Sequence, residues 1–164
     1  MAKLALPYAL LACLLAAVPL AAAQGRAVTT STLASVKFDL PAVLVTDKDA
    51  VQDLLAALDD AAGGLASRCA ESEVVVWQGS GYVRAKGGAI ITNTSGRLTK
   101  TGYAYKASKK EMDGTTAITF FTALSPTKSL AGVWVSDDAS LVLAWCRLVP
   151  APAAKPPGTN GHTQ

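Results

Sequence analysis

Thr46–Cys69, TDKDAVQDLLAALDDAAGGLASRC, is the stretch that decides the fold. Val51, Leu54, Leu55, Leu58, Ala62 and Leu65 recur on one side of a 3.6-residue period, which predicts one long amphipathic helix. Asp49, Gln52, Asp53, Asp59 and Asp60 fill most of the opposite arc. Thr46 or Asp47 is placed to cap its first turn, and Asp47 and Asp49 set negative charge at the positive end of its dipole. Gly63-Gly64 predicts a break, with Leu65–Cys69 as a last or separate turn.

Upstream, Lys3, the apolar run Leu4–Leu20 and the small-residue site Ala21-Ala22-Ala23 before Gln24 have the layout of a signal peptide over residues 1–23, cleaved after Ala23. The reading is a secreted or periplasmic protein. Pro7 and Pro19 argue against a permanent anchor. Leu10-Leu11-Ala12-Cys13 has the look of a lipid-attachment site, but the apolar run continues well past Cys13, which argues against lipoprotein anchoring. Gln24–Gln164 then carries fourteen Lys and Arg against twelve Asp and Glu. That balance does not by itself argue for nucleic acid. It also retains two cysteines, Cys69 and Cys146, and an even pair in an oxidising compartment is read as one disulfide. Such a bond would staple the end of the helix to a strand.

Residues 24–35 are small and polar and read as a flexible leader. Residues 36–149 read as a single α+β domain. Val36–Leu40 alternates as a half-buried strand and is interrupted by Pro41. Beyond Cys69 the reading is β: Glu73–Gln78, Tyr82–Lys86, Ala89–Thr92, Arg97–Ala107, Thr115–Leu124, Ala131–Ser136 and Ala139–Val149, with turns at Gly79–Gly81, Gly87-Gly88, Asn93–Gly96, Asp113-Gly114 and Asp137-Asp138. The last strand, SLVLAWCRL, is apolar on both faces and belongs at the centre of a sheet. Residues 150–164, rich in Pro and Ala, read as a disordered tail. The expected fold is therefore α+β, with one long amphipathic helix packed on a five- to six-stranded, mostly antiparallel meander, stapled by one disulfide.

The chemistry is narrowed by what the sequence lacks. His162, the single histidine, falls in the tail, so no histidine base or histidine-built metal site is expected in the domain. No phosphate-binding or dinucleotide motif is present, and no cofactor is expected. Asp59-Asp60 and Asp137-Asp138 are read as a solvated helix edge and a turn rather than catalytic pairs. The expectation is a non-enzymatic protein.

Charge is unevenly placed. Arg84, Lys86, Arg97, Lys100, Lys106, Lys109 and Lys110 occupy an acid-free run, while Asp39–Glu73 holds eight acids against Lys48 and Arg68. Read as strands, Tyr82 shares a face with Arg84 and Lys86, and Tyr103 and Tyr105 share one with Arg97. Basic groups interleaved with tyrosines suit an anionic polymer, glycan or lipid surface. The candidate site is thus Tyr82, Arg84, Lys86, Arg97, Lys100, Tyr103 and Tyr105. The competing reading makes this a solvated face and the tyrosines core residues. A second function class is a protein-interaction or inhibitor domain for an envelope or secreted partner, presenting loops such as Ser125–Lys128. Asn93-Thr94-Ser95 is an N-glycosylation sequon on an expected turn. Trp77, Trp134 and Trp145 are expected in the core, with Trp134 the most exposed of them.

Overall fold

In the computed structural model of the chain, residues 25–152 are described. The proposed signal peptide and nearly all of the expected tail lie outside these residues. The elements run β1 (Gly25–Thr30), β2 (Lys37–Val45), a 3-10 turn (Asp49–Val51), α1 (Gln52–Gly63), β3 (Ser67–Gln78), α2 (Ser80–Lys100), β4 (Ala104–Ala107), β5 (Glu111–Asp113), β6 (Thr116–Leu124), β7 (Ser129–Ser136) and β8 (Ser140–Pro150). All eight strands join one antiparallel sheet in the order β1-β2-β3-β8-β7-β6-β4, with β5 also paired to β6. The class is α+β, with two helices instead of one and more strands than the sequence reading expects.

The helices cover opposite faces. Val74, Val76, Val133, Val142 and Ala144 lie beneath Val51, Leu54 and Leu55 of the α1 segment. Their neighbours in the alternation, Val75, Trp77, Trp134, Leu141, Leu143 and Trp145, lie beneath Val83, Ile90 and Leu98 of α2. β8 sits between β3 and β7 and is buried on both sides, as its unbroken apolar run requires. Trp134, expected to be the most exposed tryptophan, is only 2% exposed.

α1 follows its periodicity and stops at the glycine pair. Asp47 Oδ1 accepts the Asp49 amide at the entrance to the 3-10 turn (3.0 Å). The expected further turn over Leu65–Cys69 does not form. Ala66 takes a left-handed conformation (φ 53°), and β3 begins at Ser67. Cys69 therefore lies within β3, and its disulfide to Cys146 (Cα–Cα 5.4 Å) joins neighbouring strands rather than helix to sheet. The bond packs under Leu58 of α1. It spans 77 residues of chain, a loop worth roughly 4 kcal/mol by the chain-entropy argument.

The main departure is α2. The four segments read as Tyr82–Lys86, Ala89–Thr92, the Asn93–Gly96 turn and the first part of Arg97–Ala107 form one helix. Its buried positions are Val83, Gly87, Ile90, Thr94 and Leu98, spaced 4, 3, 4 and 4. That is a helical stripe, but a glycine and a threonine occupy two of its five places, so apolar counting passes over it. The helix ends in a Schellman arrangement. Tyr103 N donates to Leu98 O (3.0 Å), Gly102 N to Thr99 O (3.1 Å), and Gly102 takes φ 94°. Leu98 and Tyr103 are both buried there, which completes the motif.

Residues 24–35, expected as a flexible leader, also differ from Gly25 onward. Gly25–Thr30 is an edge strand on β2, and Ser31, Leu33 and Ala34 are buried. The anchor is Glu73, 6% exposed, whose Oε2 accepts Thr32 N (2.9 Å) and Thr32 Oγ1 (2.7 Å) and whose Oε1 accepts Trp145 Nε1 (3.0 Å). Pro41 does not end β2, because it falls where the β1–β2 register shifts and no ladder donor is needed there.

Gly132 of β7 is fixed by contact, since a Cβ there would overlap the Phe121 ring. Gly88 of α2 faces open space. Gly132→Ala should therefore destabilise the protein by about 1–3 kcal/mol, and Gly88→Ala should stabilise it by about 0.5–1 kcal/mol. Paired denaturant titrations check both signs.

Candidate functional site

The sequence-derived candidates lie along α2 and β4, not on a strand face. Lys86, Asn93, Arg97 and Lys100, at steps of 7, 4 and 3, run down the flank of α2 that meets β2. Arg84 lies on the other flank, beside the β7–β8 turn, with its guanidinium 3.2 Å from Asp138. Arg97 pairs with Asp39 of β2, and Asn93 Nδ2 donates to the same carboxylate. The two arginines thus fasten the helix at its rims. Lys86 and Lys100 are exposed and make no ion pair among the described residues.

The tyrosines turn inward. Tyr103 is buried (7% exposed), Tyr105 is half-buried with its ring 5.1 Å from Phe121, and Tyr82 is half-buried against the same apolar cluster. The basic, tyrosine-bearing strand face does not exist as a surface. The period-two alternation behind it (Tyr82, Arg84, Lys86) arises from two flanks of a helix. What remains outside is a basic helix with a smooth crest. Gly81, Ala85, Gly88, Thr92, Gly96 and Thr99 are all exposed, with Arg84 to one side and Lys86 and Lys100 to the other.

The opposite face carries the opposite charge. Asp47, Asp49, Asp53 and Asp60 are exposed on and just before α1, and α2 contains no acid. Asp59 is spent locally, accepting the Cys69 amide (2.9 Å). Asp137 organises the β7–β8 turn, its Oδ1 accepting Ala139 N (2.7 Å) and Ser140 N (2.6 Å). One member of each aspartate pair thus holds local backbone, while Asp60 and Asp138 are exposed. Among the described residues there is no group of three or more His, Cys, Asp or Glu that could hold a metal. The Asn93 sequon lies within α2, not on a turn, and its side chain is engaged with Asp39.

Two polar groups escaped sequence reasoning. Glu73 looks like the polar start of a strand, yet it is the buried acceptor described above. The one signal for it is that it shares a strand face with Val75 and Trp77. Trp134 Nε1 is buried without a hydrogen-bond partner. Its polar neighbour is the Tyr105 side chain, on which the indole N–H acts as a donor, short of a well-formed bond. Burial raises the pKa of Tyr105, against a smaller lowering by Trp134, and burial alone raises that of Tyr103.

No protein-family model, curated protein or solved structure matches the chain.

Two expectations follow from this geometry. Asp39→Ala should loosen α2 by about 1 kcal/mol, and Asp138→Ala, which breaks only an exposed pair, by less than about 0.5 kcal/mol. Hydrogen exchange of the α2 amides reads the difference. Because the folded protein holds Tyr103 and Tyr105 neutral above the ordinary phenol pKa of 10.0, the unfolded chain releases those protons first. Their contribution to stability should be complete below about pH 10 and decline as pH rises above it. Stability followed through that range, with Tyr105→Phe showing a shallower decline, checks the sign.

Proposed function

We propose that the protein is a non-enzymatic binding domain of a secreted or periplasmic compartment, engaging an anionic partner through the outer face of α2. The observation carrying this reading is the division of charge across the sheet: an acid-free helix bearing Arg84, Lys86, Arg97 and Lys100 on one side, and an acidic helix on the other. Such a division orients the protein in the field of a polyanion before contact. The small residues along the crest of α2 let a charged polymer or lipid surface approach the helix closely, with Lys86 and Lys100 free to meet its anionic groups. The Cys69–Cys146 disulfide is compatible with an oxidising compartment. The signal-peptide layout of residues 1–23 supports export to one.

A second reading, an interaction or inhibitor domain for an envelope or secreted protein, is favoured by the edge of the sheet. Among the described residues β1 pairs with β2 alone, leaving one side of Gly25–Thr30 open to strand addition.

The two readings separate on one comparison. Among the described residues Lys86 and Lys100 make no ion pair, so their loss leaves the fastenings of α2 in place. Lys86→Gln with Lys100→Gln should weaken binding to anionic vesicles, nucleic acid or acidic glycan by about 30-fold at low salt, taking about 1 kcal/mol per lysine. Wild-type binding should fall steeply with added salt. Unchanged affinity in the double variant, or no binding at low salt, rejects the α2 surface and favours the protein partner.

A further inference from the structure

We propose that β1 pairs with β1 of a second copy of this chain, antiparallel and in one register, to form a two-fold dimer with a continuous sheet. Three observations lead to it.

The first is the contrast between the two edges of the sheet. The far edge is made of two short pieces, β4 with four residues and β5 with three, set one after the other along β6. Lys106, Lys109, Lys110, Glu111 and Asp113 crowd it. Short strands and charges are how a sheet edge is kept from pairing. β1 has six residues, GRAVTT, with one charge, no acid and no proline, and among the described residues β2 alone pairs with it. Its other row of amide and carbonyl groups faces outward. Val43, 36% exposed, and the half-buried Val28 and Leu44 lie along the same margin, so a covering strand meets apolar side chains on both faces.

The second is the order of side chains along β1. Residues opposite one another in an antiparallel pair point to the same face. Arg26 is opposite Leu44 and Val28 opposite Ala42, and both partners belong to the cluster beneath α2. Arg26 and Val28 therefore point to the α2 side, and Thr30 joins them by alternation. Ala27 is opposite Val43, itself opposite Val76 of the α1 side. Two copies keep their faces in line only when α2-side residues meet α2-side residues. Arg26 opposite itself sets like charges together, and Arg26 opposite Val28 leaves the two arginines as diagonal neighbours. Val28 opposite Val28 has neither fault. It places a β-branched pair on the two-fold axis, Ala27 opposite Thr29, and Arg26 opposite Thr30.

The third is what the symmetry does to the faces. A two-fold axis between antiparallel neighbours stands perpendicular to the sheet, so both α2 helices fall on one side and both α1 helices on the other. The two β2 strands lie three strand spacings apart, about 14 Å. That exceeds the Debye length of about 8 Å at physiological ionic strength, so the two basic faces do not oppose the pairing. The dimer then shows exposed Arg26, Lys86 and Lys100 twice on one side. An edge of six residues is short, and the association is weak and reversible. The pairing uses the open edge of the second reading above but depends on no anion, so it and binding by α2 fail separately.

The test is sedimentation velocity of the protein purified from the exported fraction, at physiological salt and without ligand. With rising concentration the protein should pass reversibly from monomer to dimer and no further, because a two-fold contact closes on itself. Thr30→Glu sets a carboxylate opposite Arg26 of the other copy, twice per dimer, and should tighten dimerisation about fivefold. Thr30→Arg should weaken it by about the same factor. Arg26→Glu added to Thr30→Arg should restore it, which separates the contact between copies from any effect on Lys37, opposite Thr30 in the same chain. Thr30 is exposed, so these changes leave the core untouched. A protein that stays monomeric up to about 1 mM, or a dimer indifferent to the charge at residue 30, overturns the proposal. The first outcome leaves the edge to a strand of another protein, and the second puts the contact elsewhere on the surface.

Discussion

The β3–β8 ladder is the constraint from which the rest of the architecture follows. It runs from Ser67 opposite Pro150 to Gln78 opposite Ser140 and is buried on both faces along its inner part, where Glu73–Trp77 face Leu141–Trp145. A strand pair buried on both sides needs a covering layer on each. α1 supplies one. The second comes from the connection between β3 and the next strand, the only long segment left among the described residues, and there the chain forms α2. The disulfide and the Glu71–Arg147 pair both cross this ladder at its outer end, beside the bulge between Cys69 and Glu71. Arg147 holds the Glu71 carboxyl below its ordinary range, chiefly through their hydrogen bond.

The two covers are unlike in how they are held. α1 is made by its own sequence: leucines on one side, aspartates on the other, and a glycine stop. α2 carries Gly81, Gly87, Gly88 and Gly96, each costing about 0.8–1 kcal/mol relative to alanine in a helix interior. Burial of Val83, Ile90 and Leu98 returns about 1.5–3 kcal/mol each. The surplus is small, so α2 owes its place to the sheet beneath it, to its Schellman end and to Asp39. A helix of this kind is set by tertiary context rather than by propensity.

This difference explains what the sequence made legible. α1, its glycine stop, the cysteine pair, the Asp113-Gly114 and Asp137-Asp138 turns and the central place of the last strand all rest on strong local signals. α2 does not. Its inner stripe is diluted by Gly87 and Thr94, its Gly87-Gly88 and Asn93–Gly96 pieces look like turn chemistry, and Tyr82–Lys86 happens to alternate. A signal was present at its end, where Arg97 and Lys100 precede Gly102 as basic residues precede a helix-stopping glycine. The leader was misread for another reason. No apolar period marks residues 25–35; what orders them is pairing of Gly25–Thr30 with β2 and the grip of Glu73, some forty residues away, on Thr32 and Leu33. The basic residues of the candidate site were found, but their grouping depended on the period assumed, and a change of period moved the tyrosines into the core.

The four cations of α2 therefore divide by role. Arg84 and Arg97 already have carboxylate partners, and those partners lie on the sheet side of the helix, so their attraction holds α2 down. Lys86 and Lys100 have no such partner among the described residues and add to the outward field. An anion approaching from outside competes with Asp39 and Asp138 for the arginines, whereas it meets the lysines without competition. Whatever draws the arginines outward therefore weakens the fastening of α2. The exposed Arg84–Asp138 pair contributes little to this balance. Asp39, which holds both Asn93 and Arg97 and is less exposed than Asp138, contributes more, so the hold of β2 on α2 rests chiefly on one carboxylate.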